Sequence, residues 1–222
     1  MPQQINRKIL LYLFLFVILG TLNNKNFNKF KLPKIHSIKI YGLENNDIKF
    51  QNKLEFLKIN NLFFLDKFEI EELFDDNDLI EEYKIFKKYP SSLEVKVIET
   101  KFLALTNINE KFFLVGSNGK LIETKNTIKN LPYIFGNINI NSFLNLKKII
   151  DESSLNFNEI KNLYYFPSGR WDIETSSEIL IKLPTKRLKE SLDLSLNLLN
   201  NEKFKNVKLI DLRQKNQVIV NE

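Results

Sequence analysis

Residues 87–100 read KKYPSSLEVKVIET, a turn followed by a clean alternation of apolar and polar residues. Leu93, Val95 and Val97 fall on one side of an extended chain, because the side-chain period of a strand is two residues. Proline and two serines at 90–92 interrupt the extended run that precedes them. The pattern predicts two strands that are joined by a turn and buried on one face.

The residues before this pair of strands add one strand and two helices. The strand is HSIKIYG at 36–42. The first helix follows Asp47, and the second follows Asp66, which forms a capping box with the glutamate three residues later. Apolar residues recur at helical spacing in both helices: Phe50, Leu54 and Leu57, then Ile70, Leu73 and Phe74. Residues 35–100 are therefore predicted to form a β-α-α-β-β unit, a three-stranded sheet covered on one face by two helices.

Residues 101–222 read as a second domain, built mainly of short strands separated by turn signals. The predicted strands are 102–108, 111–115, 120–123, 133–135, 160–165, 170–175 and 179–184. Helices are predicted at 142–153 and after Thr185, and a terminal hairpin at 207–212 and 217–220. Trp171 is predicted to be a core aromatic residue. The fold class is α+β, with a mixed β-sheet domain that contains two helices.

The N-terminal segment is strongly apolar. Residues 9–19 read ILLYLFLFVIL, and three further uncharged residues follow. As a helix these fourteen residues span roughly 21 Å, against ~30 Å for the hydrocarbon core of a bilayer. The length alone also fits a signal-peptide core or a buried helix, but no cleavage site follows and no polar face is present. We expect a cytoplasmic tail at 1–8, an uncleaved single-pass transmembrane helix at 9–22 in the lipid bilayer, and a linker at 23–34.

Composition excludes several functional classes. The chain carries 33 lysines and arginines against 27 acidic residues, mixed along its length, which is unlike a nucleic-acid-binding protein. It contains no cysteine and one histidine, His36. Thiolate nucleophiles and Cys-ligated zinc are therefore excluded, and a catalytic triad would have to use a histidine that sits in a predicted strand. We expect no catalytic, cofactor-binding or metal-binding residues.

Seven segments in a fixed order resemble the bacterial cell-division family FtsQ/DivIB. They are IKIYGL at 38–43, NLFFLD at 61–66, KKYPSSLEVKVIET at 87–100, NGKLI at 118–122, GRWDI at 169–173, IKLP at 181–184 and IDLR at 210–213. The resemblance implies that 35–100 is a POTRA domain and 101–222 the family's β domain. It also implies a non-enzymatic scaffold of the divisome, anchored in the inner membrane at the septum with its domains in the periplasm. Such a scaffold binds other divisome membrane proteins and links early and late septation proteins.

The last predicted strand is apolar and lies at the end of the chain. If it forms a sheet edge, its free N–H and C=O groups are a template for a strand of another protein. The residues alone leave open that the strand is covered internally or frays. The resemblance implies that the last strands pair with a strand of FtsB, which is itself coupled to FtsL. The residues that would contact this partner are Arg213, Gln214, Gln217, Val218, Ile219 and Val220.

Two other functional classes stay open at this point. A membrane-anchored periplasmic hydrolase would need two carboxylates about 5 to 10 Å apart in a cleft, and the acidic residues here occupy predicted helix ends. A POTRA-bearing export component would need a long membrane barrel of alternating strands after the POTRA unit. The two helices predicted in the second half of the chain do not fit such a barrel.

Overall fold

The computed structural model describes residues 7–22, 32–43, 48–125, 130–204, 206–215 and 217–221. Residues 1–6 of the predicted tail, most of the predicted linker and the Asp47 cap lie outside the described residues. Helix α1, Arg7–Leu22, contains the apolar N-terminal segment, and its described apolar side chains are almost all exposed.

The predicted transmembrane helix requires a correction. Helix α1 has 16 residues, which corresponds to a length of about 24 Å. Across the described ranges, no helix is both long enough and apolar enough to cross a membrane. The apolar segment is helical as expected, but the helix is shorter than the ~30 Å hydrocarbon core.

The first half of the chain forms a small three-stranded sheet with two helices. Its elements are β1 Ser37–Tyr41, α2 Ile48–Leu57, α3 Lys67–Asp75, β2 Ile80–Lys88 and β3 Ser92–Glu99. The strand order is β1-β3-β2, with β1 parallel and β2 antiparallel to β3. Leu93, Val95 and Val97 are buried beneath the helices, as the alternation predicts. The element order is the predicted one, and Asp66 caps α3 by accepting a hydrogen bond from the N–H of Phe68.

The second half forms a nine-stranded sheet with two helices. The elements are β4 Phe102–Ile108, β5 Lys111–Gly116, β6 Leu121–Thr124, β7 Tyr133–Phe135, α4 Ile140–Asp151, β8 Ile160–Tyr165, β9 Trp171–Thr175, β10 Leu180–Lys182, α5 Leu188–Leu199, β11 Leu209–Asp211 and β12 Ile219–Asn221. The strand order is β12-β11-β10-β9-β8-β7-β4-β5-β6. Helices α4 and α5 each connect a parallel pair, β7 with β8 and β10 with β11, because parallel neighbours need a long crossover.

One core lies between the large sheet and its helices. Trp171 is fully buried there, as predicted, and its indole N–H donates to the hydroxyl of Ser142 at 2.9 Å. The two helix starts differ from the sequence prediction. Helix α4 begins earlier, behind an Asn139 cap, and α5 begins later, behind Arg187 instead of Thr185.

The two sheets meet where the turn after β5 contacts the segment between α3 and β2. The side-chain amide of Asn118 donates to the carbonyls of Asp78 and Ile80, at 2.9 and 3.1 Å. The hydroxyl of Ser117 donates to the Glu81 carboxylate at 2.5 Å, and the Lys120 ammonium lies 3.4 Å from the Asp78 carboxylate. These polar contacts form the junction between the small and the large unit.

Candidate partner-binding edge

The last strand lies at one end of the large sheet. Strand β12 pairs antiparallel with β11, so that Ile210 lies opposite Val220 and Asp211 opposite Ile219. In the described part of the chain, no other strand pairs with the outer side of β12. Val218, Ile219 and Val220 are all exposed, and half of the Ile219 surface, 51%, is accessible to solvent. An apolar edge without charge or proline is open to strand addition.

A groove runs beside this edge and joins it to helix α5. The groove has a volume of about 350 Å³. Three of the sequence-predicted contact residues, Gln214, Gln217 and Val218, line it together with Leu212. The opposite wall comes from α5 and the residue that precedes it: Arg187, Glu190, Ser191 and Leu194.

The sequence analysis missed the wall that α5 contributes. This wall combines Leu194, an exposed leucine in the middle of α5, with Arg187, whose left-handed backbone, with φ at 61°, is uncommon for a residue other than glycine. A signal was present, because a helix between two parallel strands must pack beside them. The groove therefore combines residues from two distant parts of the chain, the α5 start and the terminal hairpin.

Arg213 is already engaged within its own chain. Its Nε donates to both carboxylate oxygens of Asp211, at 2.8 and 2.9 Å, and its Nη2 donates to Oδ2 of the same residue. The hydrogen bond from Arg213 lowers the pKa of Asp211, whose side chain is almost fully buried. The guanidinium has five N–H donors, so it keeps some for another acceptor. Its contact with a partner stays a prediction.

A row of alternating charges crosses the sheet toward this edge. Lys182 on β10 lies opposite Asp172 on β9 and opposite Asp211 on β11. Nε of Arg170 donates to the carboxylate of Asp172 at 3.3 Å. Burial raises the pKa of Asp172, although the nearby cations act in the opposite direction. With Arg213, the row carries three cations and two carboxylates, so it ends beside β12 with one positive charge in excess.

The acidic residues that could suggest other chemistry have structural roles. Asp66 caps α3, and the carboxylate of Asp75 accepts a hydrogen bond from the Tyr83 hydroxyl at 2.9 Å. Burial, with this hydrogen bond, raises the pKa of Tyr83 to about 12. Asp76 pairs with Lys53, and Asp78 pairs with Lys120. Among the residues for which coordinates are described, no group of three or more His, Cys, Asp or Glu side chains could hold a metal ion.

Three comparisons place the chain among known proteins. The family model described as cell division protein FtsQ/DivIB, C-terminal, matches residues 104–213. The cell division protein DivIB of Clostridium botulinum (strain Loch Maree / Type A3) is 29% identical over 226 residues, which cover 93% of this chain and 86% of that protein. The cell division protein FtsQ of Rickettsia bellii (strain RML369-C) is 27% identical over 193 residues, which cover 84% of this chain and 72% of that protein.

A solved structure also overlaps with part of the chain. It is the major extracytoplasmic domain of DivIB from Geobacillus stearothermophilus, 16% identical, with a TM-score of 0.35 over 50% of this chain, an overlap too weak for comparing the two folds in detail. The family model, by contrast, matches from β4 to residue 213, just after β11, and the DivIB sequence match covers 93% of this chain. On these sequence matches, the chain belongs to the FtsQ/DivIB family of cell division proteins.

Proposed function

We propose that this cell division protein is a non-enzymatic scaffold that binds FtsB- and FtsL-type partners by strand addition at β12. The observation that carries the proposal is the position of β12 at the end of the nine-stranded sheet, with exposed apolar side chains and no strand paired to its outer edge in the described residues. In strand addition, main-chain hydrogen bonds supply affinity, and alternate side chains supply specificity. A scaffold of this kind links early and late septation proteins by binding both.

The residues around the edge support a specific mode of contact. Val218, Ile219 and Val220 offer the backbone template and an apolar surface. Gln214 and Gln217 lie in the groove wall, and their side-chain amides can form hydrogen bonds with side chains of the added strand that point into the groove. Arg213 ends a charge row with one cation in excess, so an acidic residue on the partner strand is favoured at this position.

The remaining features extend the proposal to the rest of the chain. Residues 35–100 correspond to a POTRA domain, which is a second surface for divisome membrane proteins. Helix α1 exposes apolar side chains all round, and such a helix is stable only when something apolar covers it. We therefore propose that α1 attaches the chain to the bacterial inner membrane at the septum, with both sheets on the periplasmic side.

The strand-addition proposal is tested by a proline in β12. Ile219→Pro removes a backbone donor and fixes φ, so the partner strand should lose its template. Calorimetric titration with the external segment of an FtsB-type partner should show no measurable binding. The matched variant Ile219→Thr keeps the N–H group and a β-branched side chain, and it should bind almost as well as the original chain. Normal binding by Ile219→Pro, with unchanged thermal unfolding, would exclude β12 as the template.

A further inference from the structure

The small unit carries a cluster of exposed aromatic and aliphatic side chains at one end. This aromatic tip consists of Phe56, Ile59, Phe63, Phe64, Phe68 and Tyr89, and all six are exposed. Phe64 and Phe68 expose 79% and 78% of their surface. A concentration of large apolar side chains in water marks an interaction site in most soluble domains.

The tip is held in place by hydrogen bonds to its backbone. The side-chain oxygen of Asn61 accepts from the N–H groups of Phe63 and Phe64, both at 3.1 Å. The ammonium of Lys87, at the end of β2, donates to the carbonyls of Leu62 and Leu65, at 3.1 and 2.8 Å. These bonds join the loop between α2 and α3 to β2. The ring of Phe63 therefore contacts that of Tyr89, with 4.9 Å between their centroids.

The tip lies far from the large sheet. Strand β2 begins at the junction with the large unit, where the amide of Asn118 binds the carbonyl of Ile80. The strand then runs nine residues, about 26 Å at the rise of an extended chain, and ends at Lys88 beside the tip. The aromatic tip and the junction are thus at opposite ends of the small unit.

The chain enters the small unit at the tip. The N–H of Ile35 donates to the carbonyl of Asn60 at 3.0 Å, and Lys34 forms a β-bridge with Asn61. Only eleven residues separate Leu22, the last residue of α1, from Lys34. An extended chain of that length spans roughly 40 Å at most. The tip is therefore the described part of the small unit to which the apolar helix is directly tethered.

We propose that the aromatic tip rests in the interfacial layer of the lipid bilayer. The inference depends on the proposed attachment of α1 to the membrane, since that attachment brings the tip to the lipid surface. Aromatic side chains favour the interface between lipid headgroups and acyl chains. Two ion pairs lie at the rim of the tip, Lys58 with Glu55 at 2.5 Å and Lys67 with Glu71 at 2.8 Å. Insertion of the aromatic rings, more than attraction to acidic lipids, therefore supplies the contact.

A single introduced cysteine tests this arrangement in the full chain, because the sequence has no cysteine of its own. Phe64→Cys and Phe68→Cys place a polarity-sensitive fluorophore at the tip, and Asn197→Cys places it on the exposed side of α5 as a control. The labelled chains are incorporated into vesicles of equal parts phosphatidylcholine and phosphatidylglycerol. A nitroxide on the lipid acyl chains then quenches any fluorophore that lies within the interface.

We expect the chain to float with the vesicles and the probes at 64 and 68 to shift to the blue. Lipid nitroxides should quench them several-fold more than the probe at 197. A chain that floats while the tip probes behave like the probe at 197 overturns the tip contact and leaves the α1 attachment standing. A blue shift without lipid quenching means that protein covers the tip, which also overturns the proposal. A chain that does not float overturns both the attachment and the tip contact.

Discussion

Arg213 illustrates how a single residue can serve the fold and an interface together. In the sequence analysis, the family resemblance made Arg213 a contact residue for a partner strand at the open edge. In the structure its guanidinium donates hydrogen bonds to the buried carboxylate of Asp211, the last residue of β11. Removing the arginine would leave that carboxylate without its cation in a poorly solvated place. A loss of partner binding in Arg213→Ala would therefore have to be separated from a loss of stability.

The Arg213–Asp211 pair predicts how stability depends on pH. The pKa of Asp211 lies below its ordinary value of 3.8 because Arg213 binds the charged form. A carboxyl with a lowered folded pKa stabilises the protein above its unfolded pKa, and this contribution is lost as the pH falls through the folded value. We expect Asp211→Asn to lower the free energy of unfolding by about 1–3 kcal/mol at pH 7.

Urea unfolding at pH 7 and near pH 3 measures this effect. The difference between Asp211→Asn and the original chain should shrink as the pH falls below the ordinary pKa of 3.8, because the unfolded chain then binds a proton at Asp211 more readily than the folded chain does. Glu123→Gln, an exposed residue paired with Lys111, is the control, and its cost should stay below about 0.5 kcal/mol at both pH values. A difference that stays constant between the two pH values would contradict the assignment.

At the scale of elements, the parallel strands of the large sheet approach one another closely. Strand β7 ends at Phe135 and is followed by Gly136, whose φ is 103°. A Cβ at this position would lie 2.2 Å from the carbonyl oxygen of Tyr165, at the end of the neighbouring strand β8. The glycine therefore allows the backbone after β7 to leave the sheet while touching β8.

We expect Gly136→Ala to lower the free energy of unfolding by about 2 kcal/mol or more, from backbone strain and from the clash with a rigid carbonyl. Gly169 is a matched control, because its φ is also positive, at 77°, but a Cβ there would meet nothing within 4 Å. Gly169→Ala should cost about 1 kcal/mol, from the left-handed backbone alone. If chemical denaturation gave the same loss of unfolding free energy for Gly136→Ala and Gly169→Ala, the close approach to β8 would be unimportant.

At the scale of the whole molecule, the contacts of the 116–120 turn orient the two sheets. Asn118 spans the junction with two hydrogen bonds to carbonyls of the small unit, while its Oδ1 accepts from the N–H of Lys120. Gly116 allows the turn to lie this close to Thr100, since a Cβ at position 116 would lie only 2.5 Å from the Thr100 side chain. If the tip faces the membrane and β12 faces a partner, this junction sets the relation between the two surfaces.

We expect Asn118→Ala to loosen the junction without unfolding either sheet, because the carbonyls of Asp78 and Ile80 can form hydrogen bonds with water instead. Spin labels at Lys39→Cys and Asn197→Cys, one in each unit, should show a broader distance distribution in pulsed electron resonance. Asn158→Ala, an exposed asparagine elsewhere in the large unit, should leave the distribution unchanged. An unchanged distribution in Asn118→Ala would assign the orientation to the other contacts of the junction, Ser117 with Glu81 and Lys120 with Asp78.

Local patterns were sufficient to predict most of the elements. The alternation at Leu93, Val95 and Val97 identified a buried strand face, and the capping residue Asp66 identified the start of α3. The pairing of Arg213 with Asp211 could also have been predicted, because a long arginine side chain can reach a carboxylate only two positions earlier in the sequence. The start of α1 at Arg7, two residues before the predicted start, was less accessible, since helix ends depend on neighbouring residues that carry little periodic signal.

The sequence by itself determined which faces are apolar, because side-chain period follows directly from the geometry of a strand or a helix. Only the tertiary structure decided what each face meets. It placed β12 at the end of the sheet, brought α5 to the groove beside Gln217, and joined Asn118 to Asp78. These contacts connect residues tens of positions apart. The period of apolar side chains indicates which side of a strand or helix is buried, but which element covers that side depends on the packing of the whole chain.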